Sequence, residues 1–123
     1  MAKKKHGDVL YLSLKKPWFD MIKAGIKLEE YREMNDYWGK RLPCHQVLTC
    51  SRRFECDNSC MQYRYVEFTL AYPPKNDAER RIRFEYPRLH VREGKPEWGA
   101  ELGKKYYAIT WGKQVPIGDS DEN

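Results

Sequence analysis

The sequence predicts a small α+β domain, a mostly antiparallel β-barrel with one or two helices packed on it. Three observations point there. Trp18, Met21, Ile22 and Gly25 recur at the spacing of one helical face. Val66, Phe68, Leu70 and Tyr72 alternate with Tyr65, Glu67 and Thr69, and beyond a Pro-rich connection Ile82, Phe84 and Tyr86 answer them as the return of a long hairpin. The chain of 123 residues fits one domain with a core of its own, and it shows neither an internal repeat nor a second domain.

Taken in order, residues 1–7 read as a basic, disordered lead, residues 8–113 as the domain, and residues 114–123 as a polar, acidic tail. Val9, Leu10, Tyr11, Leu12 and Leu14 form a strand of nearly continuous hydrophobicity, which suits the interior of a sheet. Pro17 fits the first turn of a helix, and Gly25 is placed to end it in a left-handed conformation. An extended segment starting near Lys27 follows at once. Asn35 to Leu42 is expected to make a turn or a single helical turn carrying Tyr37 and Trp38, His45 to Ser51 a third strand, and Arg52 to Met61 a loop. Pro87 breaks the strand that returns through Arg80–Tyr86, and Leu89 and Val91 resume on the other parity, which suggests a bulge. Glu93 to Gly103 is a Gly- and charge-rich loop, and Tyr106 to Trp111 closes the domain as the last strand.

Composition narrows the partners. Hydrophobic residues make up 41% and aromatic ones 14%, so the core is built from a few large rings plus Leu, Ile and Val. A net charge of +5 and a pI near 9.0 favour an anionic partner, with nucleic acid or a nucleotide-like ligand first among them. Mean hydropathy of −0.90 and the absence of any apolar run near the length of about 18 residues that a span requires leave no membrane segment. The first residues do not read as a signal peptide, so the chain is expected in the cytoplasm with its four cysteines reduced. The three histidines have no nucleophile partner in sequence, and there is no Gly-rich phosphate loop, which argues against triad and P-loop chemistry. No cofactor is called for.

The stretch from Gly25 to Glu33 carries the densest chemistry. Glu30 and Arg32 share one face of an extended strand, with Cα atoms roughly 7 Å apart. In a cleft, Arg32 would bind a phosphate or a base edge bidentately, while Glu30 would hold Arg32 or accept a proton from an exocyclic amine. Partial burial would make Lys27 a base or a nucleophile. The alternative is a solvent-facing edge strand whose charges oppose edge-to-edge pairing.

These residues resemble a known family. Gly25-Ile26-Lys27-Leu28-Glu29-Glu30-Tyr31-Arg32 is similar to the Gly-x-Lys-x-x-Glu-x-Arg signature of the ASCH domain, a PUA-like β-barrel. The resemblance continues upstream in Leu12-Ser13-Leu14-Lys15, Pro17-Trp18-Phe19 and Ile22, and downstream in Gly94 to Ala100 and Tyr106 to Gly112, covering roughly half the chain. It implies a cleft between barrel and helix that binds RNA or a modified nucleoside, lined here by Lys27, Glu30 and Arg32. One bacterial branch of the family removes the acetyl group of 4-acetylcytidine with a Lys, a Thr and a Glu. The Lys matches Lys27, the Thr position holds Glu30, and Glu93 and Glu97 are both matches for the Glu.

Elsewhere, Arg52-Arg53-Phe54 and Tyr63-Arg64-Tyr65 interleave bases' natural partners, rings and cations, with Arg53 a candidate ligand contact. Trp98 and Trp38 stand beside glycines and are candidates for the mouth of a cleft. Arg80, Arg81, Arg83, Arg88 and Arg92, partly neutralised by neighbouring glutamates, read as a solvated face. Cys44, Cys50, Cys56 and Cys60 lack the paired spacing of a zinc site and read as ordinary thiols. Three functions follow: an RNA- or nucleoside-binding protein, a nucleoside amidohydrolase using Lys27 with Glu97 or Glu93, and a protein-interaction module with a basic face.

Overall fold

The computed structural model describes residues 9–43, 61, 63–74 and 76–117. The strand expected at His45–Ser51, the Arg52-Arg53-Phe54 cluster, the four cysteines, the basic lead and the end of the tail lie outside the described residues. The described chain is α+β, with seven strands in two mostly antiparallel sheets and two helices. It groups into two compact units, one of residues 9–28, 63–87 and 111–117, the other of residues 29–43, 61 and 88–110. Among the described residues no helix is long and apolar enough to cross a membrane.

In the first unit, β1 (Val9–Leu14) leads into α1 (Lys16–Lys23). Pro17 sits in the first turn of α1, where its missing N–H costs nothing. The helix ends in a Schellman arrangement: the Gly25 N–H donates to the Ile22 carbonyl at 3.0 Å and the Ile26 N–H to that of Met21 at 2.9 Å. Gly25 has φ 79°, and a side chain there would meet open space, so the backbone conformation alone asks for glycine. Phe19 and Ile22 face inward, and α1 lies against β3.

The expected hairpin is present. β3 (Tyr65–Leu70) and β4 (Arg81–Glu85) pair antiparallel, from Tyr65 opposite Glu85 to Thr69 opposite Arg81. A two-residue strand, β7 (Gln114–Val115), extends β4 on its far side, so the expected tail begins as part of the sheet. β1 pairs β3 in parallel, and the sheet order is β1-β3-β4-β7. Among the described residues β1 therefore stands at the edge of this sheet and not inside it, with Leu10, Leu12 and Leu14 buried and Tyr11 exposed. Val66, Phe68, Ile82 and Phe84 form the centre of this core, and Trp111 stands edge-on to Phe68 at 4.9 Å and tilted to Phe84 at 5.3 Å between centroids.

The other face of β3 is also closed. Glu67 and Arg83, opposite each other in register, are 1% and 2% exposed. Arg83 bonds the Glu67 Oε1 from Nε at 2.9 Å and from its terminal nitrogen at 2.7 Å, while Arg81 reaches Oε2 at 2.9 Å. Arg81 also donates to the carbonyls of Pro73 and Pro74, which fixes the connection between the strands. The expectation of a solvated arginine face holds for Arg80, Arg88 and Arg92, which are exposed, and fails for Arg83 and in part for Arg81, which share the Glu67 carboxylate between its two oxygens. Tyr72, expected on the apolar face, is exposed past the strand's end.

In the second unit, β2 (Glu30–Arg32), β6 (Lys105–Thr110) and β5 (Arg88–Glu93) form an antiparallel sheet in that order. Leu89, Tyr106, Ala108 and Ile109 fill its core. The break at Pro87 is therefore a change of sheet and not a bulge: β4 and β5 belong to different sheets, joined through Tyr86 at φ 53°. α2 (Asp36–Arg41) follows β2, with the Asn35 side chain accepting the Trp38 N–H at 3.0 Å as its cap.

Candidate nucleobase site

β2 begins at Glu30, and the chain from Ile26 to Glu29 belongs to no helix or strand. Its short length suits a segment whose side chains do separate jobs on its two faces. On one face stand Glu30 and Arg32. Their charged groups meet at 3.0 Å, and the side chains are 10% and 20% exposed. The Arg32 guanidinium also lies 5.3 Å from the centre of the Trp38 ring. Trp38 reaches that place because the tight turn before it, closed by the Asn35 N–H on the Glu33 carbonyl, is followed directly by the capped helix.

On the other face stand Glu29 and Tyr31. The Tyr31 hydroxyl donates to Glu29 Oε1 at 2.8 Å and accepts the Lys95 N–H at 3.0 Å. Arg92 pairs with the second Glu29 oxygen, and past the strand's end Lys104 pairs with Glu33 at 2.9 Å. Burial, opposed by the Lys95 hydrogen bond and helped by the Glu29 charge, pushes the Tyr31 phenol up to about 12. Gly94 lies against the Tyr31 ring; a Cβ there would come 2.5 Å from that of Ala100 and 3.1 Å from the ring. The Tyr106 hydroxyl accepts the Glu101 N–H at 3.0 Å. Two tyrosine hydroxyls thus hold the 94–103 loop at both ends.

That loop carries two of the expected site residues. Glu97 is exposed in a single 3-10 turn, Pro96–Trp98, closed by Gly99 at φ 101°. Trp98 is half-buried, with the Lys95 ammonium 5.6 Å from its ring centre. Glu93 ends β5 opposite Lys105 and is exposed. Lys27 belongs to the first unit. It is buried, 1% exposed; its N–H donates to the Met21 carbonyl at 3.1 Å, and its ammonium lies 5.7 Å from the Trp18 ring centre. Arg53 lies outside the described residues.

No protein-family model, curated protein or solved structure matches the chain. The chemistry is therefore read from the side chains. Glu30 and Arg32 present an acceptor and planar donors next to each other, beside an indole. A nucleobase edge offers donors and acceptors in the same alternation, and its face suits stacking on indole or guanidinium. Among the described residues, no cluster of His, Cys, Asp or Glu is placed to hold a metal ion.

Sequence reasoning joined Glu30 to Arg32 by strand periodicity and named Trp38 only as a residue at a cleft mouth. It missed Asn35 and Tyr31. For Asn35 the signal was present: an Asn three residues before Trp38, with Asp36 next, is an N-cap pattern. For Tyr31 there was none, since what fixes its hydroxyl is the Lys95 backbone 64 positions away and Glu29, itself held by Arg92 63 positions beyond it.

Proposed function

We propose that the chain is an ASCH-type protein of PUA-like barrel architecture that binds RNA or a modified nucleoside, with Glu30 and Arg32 reading the base. The observation that carries this reading is the Glu30–Arg32 pair held against Trp38 in a largely buried setting. An ion pair that only guarded a sheet edge would gain nothing from burial, because desolvating two charges costs more than an exposed pair returns. A basic chain of net charge +5 supports an anionic partner.

Arg32→Ala is expected to weaken RNA affinity about ten- to a hundredfold, the share of one good bidentate contact. Arg32→Lys keeps the charge beside Glu30 and is expected to lose most of the same affinity while folding normally. Titration of an RNA panel at low salt measures both. Undetectable binding, or affinity unchanged in both variants, rejects the reading.

The burial of Lys27 favours a second reading, hydrolysis of an acetylated cytidine with Lys27 moving the proton. The same preparations, incubated with 4-acetylcytidine, decide it: turnover must vanish in Lys27→Ala, and no product at high enzyme concentration sinks it.

A further inference from the structure

α2 has six residues and none of them is buried. So short a helix is marginal by itself. It forms because its surroundings hold it. Asn35 caps it, Leu42 just beyond it is fully buried, and Gly39 lets it approach β6, where a Cβ would come within 3.1 Å of the Tyr107 hydroxyl. These anchors leave Asp36, Tyr37, Lys40 and Arg41 exposed, while Trp38 is half-buried against Arg32. Tyr37 is 53% exposed and stands edge-on to Trp38 at 4.8 Å. The Arg41 guanidinium lies 3.6 Å from the Tyr37 ring centre, fixed there by a 2.9 Å hydrogen bond to the Tyr37 carbonyl. Arg32, Trp38, Tyr37 and Arg41 are thus linked in a series of ring and cation neighbours.

We propose that this series is a track for single-stranded RNA, in which the nucleotide next to the one read by Glu30 and Arg32 stacks on the Tyr37–Arg41 pair. This rests on the nucleobase reading above and goes further, because it makes the ligand a polynucleotide strand and not a free nucleoside. Rings and guanidinium planes stack any base, and a single strand exposes its base faces where a duplex hides them. Arg41 has five N–H donors, of which the Tyr37 carbonyl takes one, so the exposed guanidinium also meets the strand's phosphates. A helix kept for the core would bury a stripe; this one buries none.

The test compares free cytidine, a short labelled oligoribonucleotide and the same strand annealed to its complement, at several salt concentrations. The single strand is expected to bind at least about tenfold tighter than cytidine and than the duplex. Tyr37→Ala is expected to weaken strand binding at least about fivefold and to leave cytidine binding unchanged. Arg41→Gln is expected to lower the salt slope of strand binding by about 1. Both side chains are exposed, and circular dichroism verifies that the variants fold. A strand that binds no tighter than cytidine, a duplex that binds as tightly as the strand, or a Tyr37→Ala effect equal on strand and cytidine overturns the track. Arg32→Ala without effect on cytidine rejects the nucleobase reading instead, so the two fail separately.

Discussion

Glu67 is placed by strand alternation on the face that Tyr65 and Thr69 share, away from Val66 and Phe68, yet it is almost wholly buried. What makes this tolerable is that both its oxygens are taken by arginines, Arg83 on one and Arg81 on the other. Removing one member leaves buried cations uncompensated, which is far costlier than never having built the pair. Glu67→Ala is therefore expected to lose roughly 3–5 kcal/mol of stability in urea unfolding. A loss below about 1 kcal/mol would show that the hairpin does not depend on the network.

Tyr31 gives a residue-level prediction of a different kind. Its folded pKa of about 12 lies above the ordinary 10.0, so folding favours the neutral phenol. The stabilisation is complete below pH 10 and is lost as pH rises toward 12. Tyr31→Phe is expected to remove that part of the alkaline loss, seen as a shallower decline of stability with pH than in the parent protein. A decline of equal steepness would show that the phenolate is accommodated where it stands.

At the scale of elements, β2 and α2 act as one unit of presentation. The strand spends one face on the 94–103 loop and the other on the Glu30–Arg32 pair, and the helix brings Trp38 over Arg32. The joint between them is the Asn35 cap. Asn35→Ala is expected to cost about 1 kcal/mol of stability, the usual worth of such a cap, and to weaken any ligand that depends on the placement of Trp38 and Tyr37. Unchanged Trp fluorescence together with unchanged stability would mean that Leu42 and Gly39 position α2 without the cap. Gly94 belongs to the same assembly, since the contact of its backbone with Tyr31 and Ala100 leaves no room for a side chain.

At the scale of the whole molecule, local chemistry and the pairing of neighbouring strands were legible, and pairing between distant strands was not. Pro17, the apolar spacing through Ile22 and the left-handed Gly25 fixed α1 from neighbouring residues alone. The alternation in Val66–Leu70 and Ile82–Phe84 found the β3–β4 hairpin, and the same rule placed Glu30 beside Arg32. The errors fell where distant strands decide the outcome. β1 is apolar enough to be interior, but it pairs only β3 among the described residues. The parity change at Pro87 is as compatible with a bulge as with a switch of sheets, and only the partners of β5 distinguish them.

By itself the sequence determined where turns, caps and alternating faces lie, because those depend on residues within a few positions of one another. Only the tertiary structure decided which charges are buried and what they hold. Glu67 with its two arginines and Tyr31 with the Lys95 backbone are pairs made across the fold, and no local pattern distinguishes them from solvated ones. The physical reason is desolvation: whether a charge or a hydroxyl is tolerated inside depends on the partner that strand pairing brings to it, and that partner can lie anywhere in the chain.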